Sequence, residues 1–341
     1  MADGVGHVTL DRPQAINALS YEMVQGLTAV FDAWREDGEV SLVVLDGAGD
    51  RGFCAGGDIR ELWGYATDGG HAEAQAFFRT EYRLDAAIAR YPKPVVAIMD
   101  GITMGGGIGL SGHAAIRVVT ERSRLAMPET RIGFTPDVGG TWLLAHAPGE
   151  VGTHLALTSG TMDAADALYA GFADSYVPSD SLPHLLQALA ERADPGSPAE
   201  IVMLFDETPP NRSRLADSRG WIDACYSAPT VGEILTRLRA QGHPDASAAA
   251  DQIETLSPTA LAVTLESVRR SRTLPSLEAA LEQEFRAVTW FLGQHDLHEG
   301  IRAQVIDKDR DPKWNPPELR DLPLDLGARV LDDPSAGAVF G

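Results

Sequence analysis

Two carboxylic acids, Glu129 and Asp137, lie eight residues apart in a segment rich in proline and glycine that runs from Met127 to Gly140. Segments of this composition form shaped loops, and loops on a rigid scaffold often carry functional groups. Two carboxyl groups that face one pocket can take different roles, because one can be ionised while the other holds a proton. The spacing also fits two solvated acids or a helix cap, since Asp137 can cap a helix that begins near Gly139.

Two glycine-rich segments, Phe53–Ile59 and Met104–Leu110, each connect a predicted buried strand to a predicted helix. Glycine allows close backbone approach and leaves N–H groups free to point at a ligand. Two such donors that converge from separate loops would form an oxyanion hole. The same residues also fit two simple tight turns, and their spacing does not distinguish the two interpretations.

Two further patterns resemble known motifs but fail in detail. Residues 107–112 match GxGxxG, with Glu129 about twenty residues further on, as in a dinucleotide-binding unit. Extra residues separate the motif from its strand, so we do not predict a dinucleotide site. The run from Gly109 to His113 lacks the final glycine of a nucleophile elbow, and we expect Ser111 and His113 to pack on the sheet.

The elements that must position these groups alternate between strands and helices, which predicts an α/β fold. Apolar runs predict strands at Val5–Leu10, Leu42–Leu45, Pro94–Met99 and Ala115–Thr120. Helical spacing predicts helices from the cap Ser20 to Gly38, at Asp58–Trp63, His71–Arg90, Ala164–Tyr169, Leu182–Arg192, Thr259–Arg270 behind Ser257 and Pro258, and Leu277–Phe291.

We predict three regions along the chain. Residues 1–195 form the α/β core with the functional site, residues 196–320 are mainly helical, and residues 321–341 form a loosely ordered tail. The stretch from Asp194 to Pro244 is rich in Pro, Ser, Asp and Gly, so we expect an insertion or hinge there. Many Pro and Asp residues follow Asp309, which favours loose order.

The composition limits the function classes. The 341 residues carry a net charge of −21, which argues against broad binding to nucleic acid or to an anionic membrane surface. Two separated cysteines and nine histidines show no metal-ligand spacing, and we expect Cys54 to be a packing residue. No apolar run approaches a membrane span, and the first residues lack signal or transit patterns. We therefore expect a cytoplasmic enzyme in a reducing compartment.

Together these segments resemble the crotonase (enoyl-CoA hydratase/isomerase) superfamily, and within it the 3-hydroxyisobutyryl-CoA hydrolase branch. Further matching segments are Val8–Pro13, Ile16–Leu19, Lys93–Ala97, Glu299–Ala303, Ile306–Asp309 and Pro312–Trp314. The resemblance implies a spiral of ββα units with a helical C-terminal region and a CoA thioester as substrate. It also implies that the backbone N–H groups of Gly57 and Gly106 form the oxyanion hole.

The resemblance also assigns roles to the acids. Hydratases of the superfamily use two glutamates, of which the second matches Glu129 and the first falls at Gly109, which has no side chain. The hydrolase branch instead matches Glu129, Asp137 and Glu81. It implies that Glu129 is the nucleophile or general base, that Asp137 binds the substrate's 3-hydroxyl, and that Glu81 orients Glu129 or water.

The remaining expectations concern ligands, partners and alternatives. Arg60 and Lys308 are candidates to bind the CoA phosphates, although both also fit solvated surface charges. We expect no metal or redox cofactor, no nucleic-acid or membrane partner, a possible homotrimer or hexamer, and a bacterial source. One alternative is hydration, isomerisation or hydrolysis of another acyl-CoA. Another is a non-catalytic module that binds a CoA ester or a protein.

Overall fold

The computed structural model describes residues 4–67, 69–191 and 197–340. The strands are β1 (Val5–Leu10), β2 (Leu42–Gly47), β3 (Val95–Met99), β4 (Ile102–Met104), β5 (Ile116–Val119), β6 (Arg124–Ala126), β7 (Thr161–Met162) and β8 (Ser175–Tyr176).

The described residues also form sixteen α-helices. They are α1 (Tyr21–Arg35), α2 (Ile59–Thr67), α3 (His71–Ala89), α4 (Gly106–Gly112), α5 (Gly140–His146), α6 (Val151–Thr158), α7 (Ala164–Ala170), α8 (Leu182–Glu191), α9 (Pro198–Met203), α10 (Arg214–Tyr226), α11 (Val231–Ala240), α12 (Pro244–Glu254), α13 (Pro258–Ser271), α14 (Leu277–Phe291), α15 (His295–Ile301) and α16 (Leu326–Leu331). Within the described ranges, none of these helices combines the length and the apolar character that a bilayer crossing requires.

The contacts divide the chain into two compact units, and each is discontinuous in sequence. The first unit comprises Met1–Gly57, Arg83–Leu125 and Met162–Arg214, and the second comprises Asp58–Tyr82, Ala126–Thr161 and Leu215–Gly341. This arrangement differs from the predicted division at residue 195. The reason is that two segments of the predicted core, 58–82 and 126–161, group with the later helices, as when α5 and α6 contact α13 and α2 contacts α15.

The first unit is built on a five-stranded parallel sheet with the order β1-β2-β3-β5-β8. Val44, Ile98 and Val118 lie on one face of this sheet and form a core with Leu185 of α8 and Ile201 of α9. Continuous apolar runs are typical of parallel strands that are buried on both faces. The predicted α/β class is therefore confirmed, and all four predicted strands are present within one or two residues.

Helix α1 shows how local signals set the element boundaries in the first unit. Ser20 accepts a hydrogen bond from the Met23 N–H at 3.3 Å, as predicted for an N-cap. At the other end, Lys93 Nζ donates to the backbone oxygens of Trp34 and, at 2.6 Å, of Asp37. A cation at the C-terminus satisfies free carbonyls and suits the helix dipole.

The second unit is mainly helical and is arranged around α13. Ser257 Oγ accepts a hydrogen bond from Ala260 N at 3.1 Å, and Pro258 takes the first helical position, as the sequence predicted. Helices α5, α6, α14 and α16 all contact α13. This helix is buried along most of its length, so it organises the unit that carries the acids described below.

In the later part of the chain, the prediction of a loosely ordered tail is wrong. The stretch predicted to hold an insertion or hinge contains α9, α10 and α11 from residue 197, which agrees with a mainly helical region, and residues 194–196 lie outside the described residues. Pro198 and Pro244 occupy first helical positions, so these prolines begin helices. The tail also packs, because α16 places Val330 and Leu331 in buried positions.

Candidate active site

The first glycine-rich loop is held in the first unit by backbone pairing with β4. Cys54 N donates to Ile102 O at 3.1 Å, and Met104 N donates to Cys54 O at 2.9 Å. On the other side, Leu19 N donates to Gly56 O at 2.8 Å. These bonds fix the backbone on both sides of the loop, and thereby the direction of the N–H groups that follow.

Glycine at two positions lets this loop meet the start of α4. A Cβ added to Gly107 would lie 2.6 Å from Cys54 O, so only glycine permits the close approach. Gly56 has a φ of +102°, and an added Cβ would lie 3.1 Å from Met104 O and 3.5 Å from Gly106 N. The two glycine-rich segments are therefore direct neighbours in the first unit.

The N–H groups of Gly57 and Gly106 are both available to an acceptor. Within the described residues, neither group donates to a backbone or side-chain oxygen. Gly106 is the first residue of α4, and the first N–H groups of a helix have no partner within it. Free donors at these two positions are what the predicted oxyanion hole requires.

The three predicted acids all lie in the second unit and are all buried. Glu81 is on α3, Glu129 begins a short 3₁₀ turn (Glu129–Ile132) after β6, and Asp137 precedes α5. Their exposed fractions are 2%, 7% and 5%. Asp137 interacts electrostatically with both glutamates, so the structure brings together residues that lie far apart in the sequence.

Hydrogen bonding within this acid cluster is incomplete. Tyr82 OH donates to Asp137 Oδ2 at 2.8 Å. Among the described residues, nothing donates to Glu81 Oε1 or Glu129 Oε2, although both atoms are buried. A buried acceptor without a donor costs about 1–3 kcal/mol. These two oxygens therefore favour a ligand that brings its own donor, such as a hydroxyl group or a water molecule.

A fourth acid, Glu284 of α14, was not predicted as a site residue. Its Oε2 accepts from Gly139 N at 2.7 Å, and its Oε1 accepts from Thr141 N at 2.9 Å. The interpretation of Asp137 as a helix cap is therefore wrong. The backbone N–H groups at the start of α5 donate to the carboxyl group of Glu284 instead. Glu284 lies on the buried face of α14 with Leu281 and Val288, and an acid on an apolar helix face was the available signal.

The electrostatics of the cluster follow from burial and like charge. Burial raises the pKa of Asp137 to about 7 and that of Glu284 to about 8. Burial, and then the charge of Asp137, raise the pKa values of Glu81 and Glu129 well above the usual range. Several of these acids retain protons near neutral pH, so one member can be a base while its neighbour is an acid.

Aromatic side chains of the second unit explain the low polarity around these acids. Phe78 stacks on Phe134 with ring centroids 5.9 Å apart, and Phe134 meets Phe291 edge to face at 5.7 Å. The Tyr82 ring packs edge to face on Phe285 at 6.2 Å. These rings exclude water, and exclusion of water disfavours ionised carboxylates.

Helix α4 excludes two of the motif interpretations. Residues 107–112 lie inside this helix and are buried, so their glycines do not form the loop that a dinucleotide site requires. Ser111 Oγ donates to Gly107 O at 2.6 Å, and Cys54 is fully buried, so both are packing residues as predicted. Gly109 is buried as well and offers no side chain for acid chemistry.

The two predicted cations lie in the second unit and at the surface. Arg60 Nη2 donates to Val305 O at 3.4 Å, which brings α2 to the chain just before Lys308. Lys308 is exposed and has a φ of +59°. Within the part of the chain that the structure describes, no cluster of three or more His, Cys, Asp or Glu is arranged to hold a metal ion.

These observations define a class of protein: an α/β fold with free backbone donors on glycine loops and a set of buried acids. Residues 5–331 match the enoyl-CoA hydratase/isomerase family, and the chain belongs to this family. The family predicted from the sequence is therefore confirmed.

Three known proteins are similar to this chain over more than nine tenths of its length. The chain is 41% identical to a mitochondrial 3-hydroxyisobutyryl-CoA hydrolase from Rattus norvegicus over 325 residues, which cover 93% of this chain and 83% of the relative. A solved carnitinyl-CoA dehydratase from Mycobacterium thermoresistibile is 47% identical with a TM-score of 0.93, covering 98% of this chain and 95% of that one. A solved enoyl-CoA hydratase from Rhodobacter sphaeroides is 42% identical with a TM-score of 0.92, covering 100% and 98%. These likenesses confirm the predicted crotonase fold.

Proposed function

We propose that this chain is a thioester hydrolase that cleaves 3-hydroxyisobutyryl-CoA to 3-hydroxyisobutyrate and CoA. The rat relative, 41% identical to this chain, carries the name of that activity. The observation that carries the proposal is the composition of the acid cluster. Glu81, Glu129 and Asp137 are buried together, whereas Gly109 supplies no acid on α4.

The proposed reaction uses the backbone donors and the acids for different tasks. The N–H groups of Gly57 and Gly106 donate to the thioester oxygen and stabilise the negative charge that develops on it. Glu129 either attacks the carbonyl carbon and expels CoA thiolate, leaving a mixed anhydride that water then hydrolyses, or takes a proton from an attacking water. Both routes consume one water, break the C–S bond, and yield a carboxylate and a thiol.

The other acids would serve Glu129 and the substrate. Asp137 accepts a hydrogen bond from the 3-hydroxyl, and its pKa of about 7 suits a group that exchanges protons near neutral pH. The Tyr82 hydroxyl donates a hydrogen bond to Asp137 Oδ2 and so holds this carboxyl group in place. Glu81 orients Glu129 or the attacking water. The unsatisfied Oε1 of Glu81 and Oε2 of Glu129 support these roles.

Hydration or dehydration of an acyl-CoA is the second candidate. It is favoured by the two solved structures, whose names are carnitinyl-CoA dehydratase and enoyl-CoA hydratase. Addition of water across a double bond requires an acid and a base around the Cα–Cβ bond. Gly109, where the family's first hydratase glutamate falls, has no side chain, and this favours hydrolysis.

Thiol release from 3-hydroxyisobutyryl-CoA by wild type and Glu129→Gln tests the proposal. The variant keeps the size of the side chain but removes the ionisable group, so we expect a loss of about 10²–10⁴-fold in kcat. Binding of the substrate, measured by calorimetry, and the melting temperature should stay close to those of wild type. A Glu129→Gln protein with wild-type turnover would contradict the assignment.

Further parts of the proposal concern ligands and surroundings. We propose that Arg60 and Lys308 contact the CoA phosphates, that no metal or redox group takes part, and that the enzyme acts in a bacterial cytoplasm. The two separated cysteines support a reducing compartment. We also propose a homotrimer or hexamer, which light scattering would test. Alanine at Arg60 or Lys308 should raise the KM for the CoA ester and leave kcat unchanged.

A further inference from the structure

The turn that carries Asp137 has an unusual backbone. Val138 has a φ of +53° and Gly139 a φ of +75°. A positive φ is easy for glycine, but it is a clear outlier for a β-branched residue such as valine. Val138 is also almost completely buried. Such a conformation persists only where its surroundings hold it, and strained turns of this kind cluster at functional sites.

Glu284 supports this turn from α14. Its carboxylate accepts from Gly139 N at 2.7 Å and from Thr141 N at 2.9 Å, so it joins the turn to the first residues of α5. Gly140 N donates to Asp137 O at 2.6 Å and closes the turn from the other side. Asp137, Val138 and Gly139 are consecutive, so the conformation at Val138 sets the direction of the Asp137 side chain.

Glu284 is itself fixed by a buried polar network. Thr141 Oγ1 contacts both Glu284 Oε1 and Ser271 Oγ, the latter at 2.9 Å. Gln283 Nε2 donates to Ser271 Oγ at 3.3 Å and to Ser267 O at 3.1 Å. This network ties the carboxylate of α14 to α13 and α5. A fixed carboxylate can impose a backbone conformation, whereas a mobile one would follow it.

We infer that Glu284 is a positioning residue that holds the strained turn at Val138 and Gly139 and thereby aims Asp137 at the 3-hydroxyl group of the substrate. The inference rests on the proposed function, which gives Asp137 its ligand but gives no task to Glu284. The ligand class is a 3-hydroxyacyl-CoA. The charge of Glu284 also raises the pKa of Glu129, but this effect is common to all esters and cancels in a ratio between two of them.

The selectivity for the hydroxyl group is the quantity to measure. It is the ratio of kcat/KM for 3-hydroxyisobutyryl-CoA to kcat/KM for isobutyryl-CoA, which lacks the hydroxyl. In Glu284→Gln, an N–H₂ group replaces one acceptor and faces a backbone donor, so the turn loses part of its support. We expect this ratio to fall about 10- to 100-fold, the loss typical of a misplaced functional group.

Glu282→Gln is the matched control on the same helix. Glu282 Oε1 also accepts two backbone N–H groups, from Val339 at 2.9 Å and Phe340 at 2.8 Å, but these lie in the C-terminal segment. The amide oxygen of this variant can still accept both N–H groups, so it removes a carboxylate from α14 without removing these hydrogen bonds or touching the Asp137 turn. We expect a small change in melting temperature and a wild-type selectivity ratio.

A second substitution separates positioning from general support of the fold. Glycine adopts a positive φ without strain, so Val138→Gly in the Glu284→Gln background should restore part of the selectivity. A purely structural loss would not be relieved by removing a buried valine side chain. Gly139→Ala disturbs the same turn with Glu284 intact, because alanine rarely adopts a φ of +75°. We expect it to lower the ratio as Glu284→Gln does.

The outcomes distinguish this inference from the proposed function. A wild-type protein that releases no thiol from either ester contradicts the proposed function and, with it, the inference. An active wild type whose selectivity survives both Glu284→Gln and Gly139→Ala contradicts the inference alone. Equal losses on both esters without rescue by Val138→Gly also contradict it. If Glu284→Gln does not fold, Gly139→Ala alone decides between these outcomes.

Discussion

The glycine loops of the first unit and the acid cluster of the second unit present two different kinds of chemical group. The loops expose backbone N–H donors at Gly57 and Gly106, which any carbonyl oxygen can accept. The second unit presents the side chains of Glu81, Glu129 and Asp137, whose protonation depends on their neighbours. Backbone donors suit any thioester, so our proposal assigns the choice of reaction to the acids.

The two regions also differ in how the chain supports them. The loops are held by backbone hydrogen bonds and by glycines that permit close contact, such as Gly107 against Cys54. The acids are held by side chains from distant helices, among them Tyr82 and Glu284. Substitutions in the loops should therefore act on every substrate alike, and substitutions around the acids should act on the chemistry and its pH dependence.

The largest expected effect within this comparison comes from Gly106→Pro. Proline is well tolerated at the first position of a helix, but it lacks the N–H group. Loss of one oxyanion donor should reduce kcat about 10²–10³-fold, and it should do so for every acyl-CoA that the enzyme hydrolyses. Steady-state thiol release from two esters of different acyl group measures this. Unchanged turnover with a wild-type melting temperature would remove Gly106 from the site.

Asp137→Asn should have a smaller effect on rate and a clear effect on pH dependence. The negative charge of Asp137 raises the pKa of Glu129, so its removal lowers that pKa. Ionised Glu129 then exists at lower pH, and the acidic limb of the kcat/KM profile should move to lower pH. We expect a loss of about 10²-fold at the optimum. An acidic limb that stays in place would show that the two acids are not coupled.

Tyr82→Phe should change activity only a few-fold. The hydrogen bond from Tyr82 lowers the pKa of Asp137, so its loss should raise that pKa above about 7. A neutral hydrogen bond contributes about 0.5–1.5 kcal/mol, and one to a charged group contributes more. The kcat/KM profile of the variant should show its Asp137-dependent limb at higher pH than wild type. A limb that moves to lower pH would contradict the claim that the Tyr82 hydrogen bond lowers the pKa of Asp137.

The smallest expected effect is on the pH dependence of the free energy of unfolding. Asp137 in the folded protein has a pKa of about 7, well above the value of about 4 of an ordinary aspartic acid. The folded state therefore binds more protons than the unfolded state between these values, and the free energy of unfolding falls as pH rises through them. We expect the melting temperature of wild type to drop by a few degrees between pH 5 and pH 8. Asp137→Asn should show a smaller drop, and an equal drop would contradict the assignment.

The sequence allowed accurate prediction of elements whose signals are local. The strand Val5–Leu10 and the helix Leu277–Phe291 have their predicted bounds, and the Ser20 and Ser257 caps form as expected. Predictions failed where an element depends on distant partners. Helix α16 was missed because its few apolar residues are stabilised by packing on α13 and α14, which no local pattern reveals.

The same distinction applies to the candidate site. Glu129 and Asp137 stand out because they share one short segment, whereas Glu81 was predicted only through the family resemblance. Glu284 was missed because its partner Gly139 lies 145 residues away, and only the folded chain brings them together. The acid on an apolar helix face was visible in the sequence, but its task was not.

The central claim is that the acids direct this thioester site to hydrolysis. The most direct test follows thiol release from 3-hydroxyisobutyryl-CoA and hydration of crotonyl-CoA on the same wild-type preparation. The account predicts rapid thiol release and negligible hydration, because Gly109 supplies no second acid at the double bond. Rapid hydration without thiol release would contradict it and would require another residue to supply the missing acid.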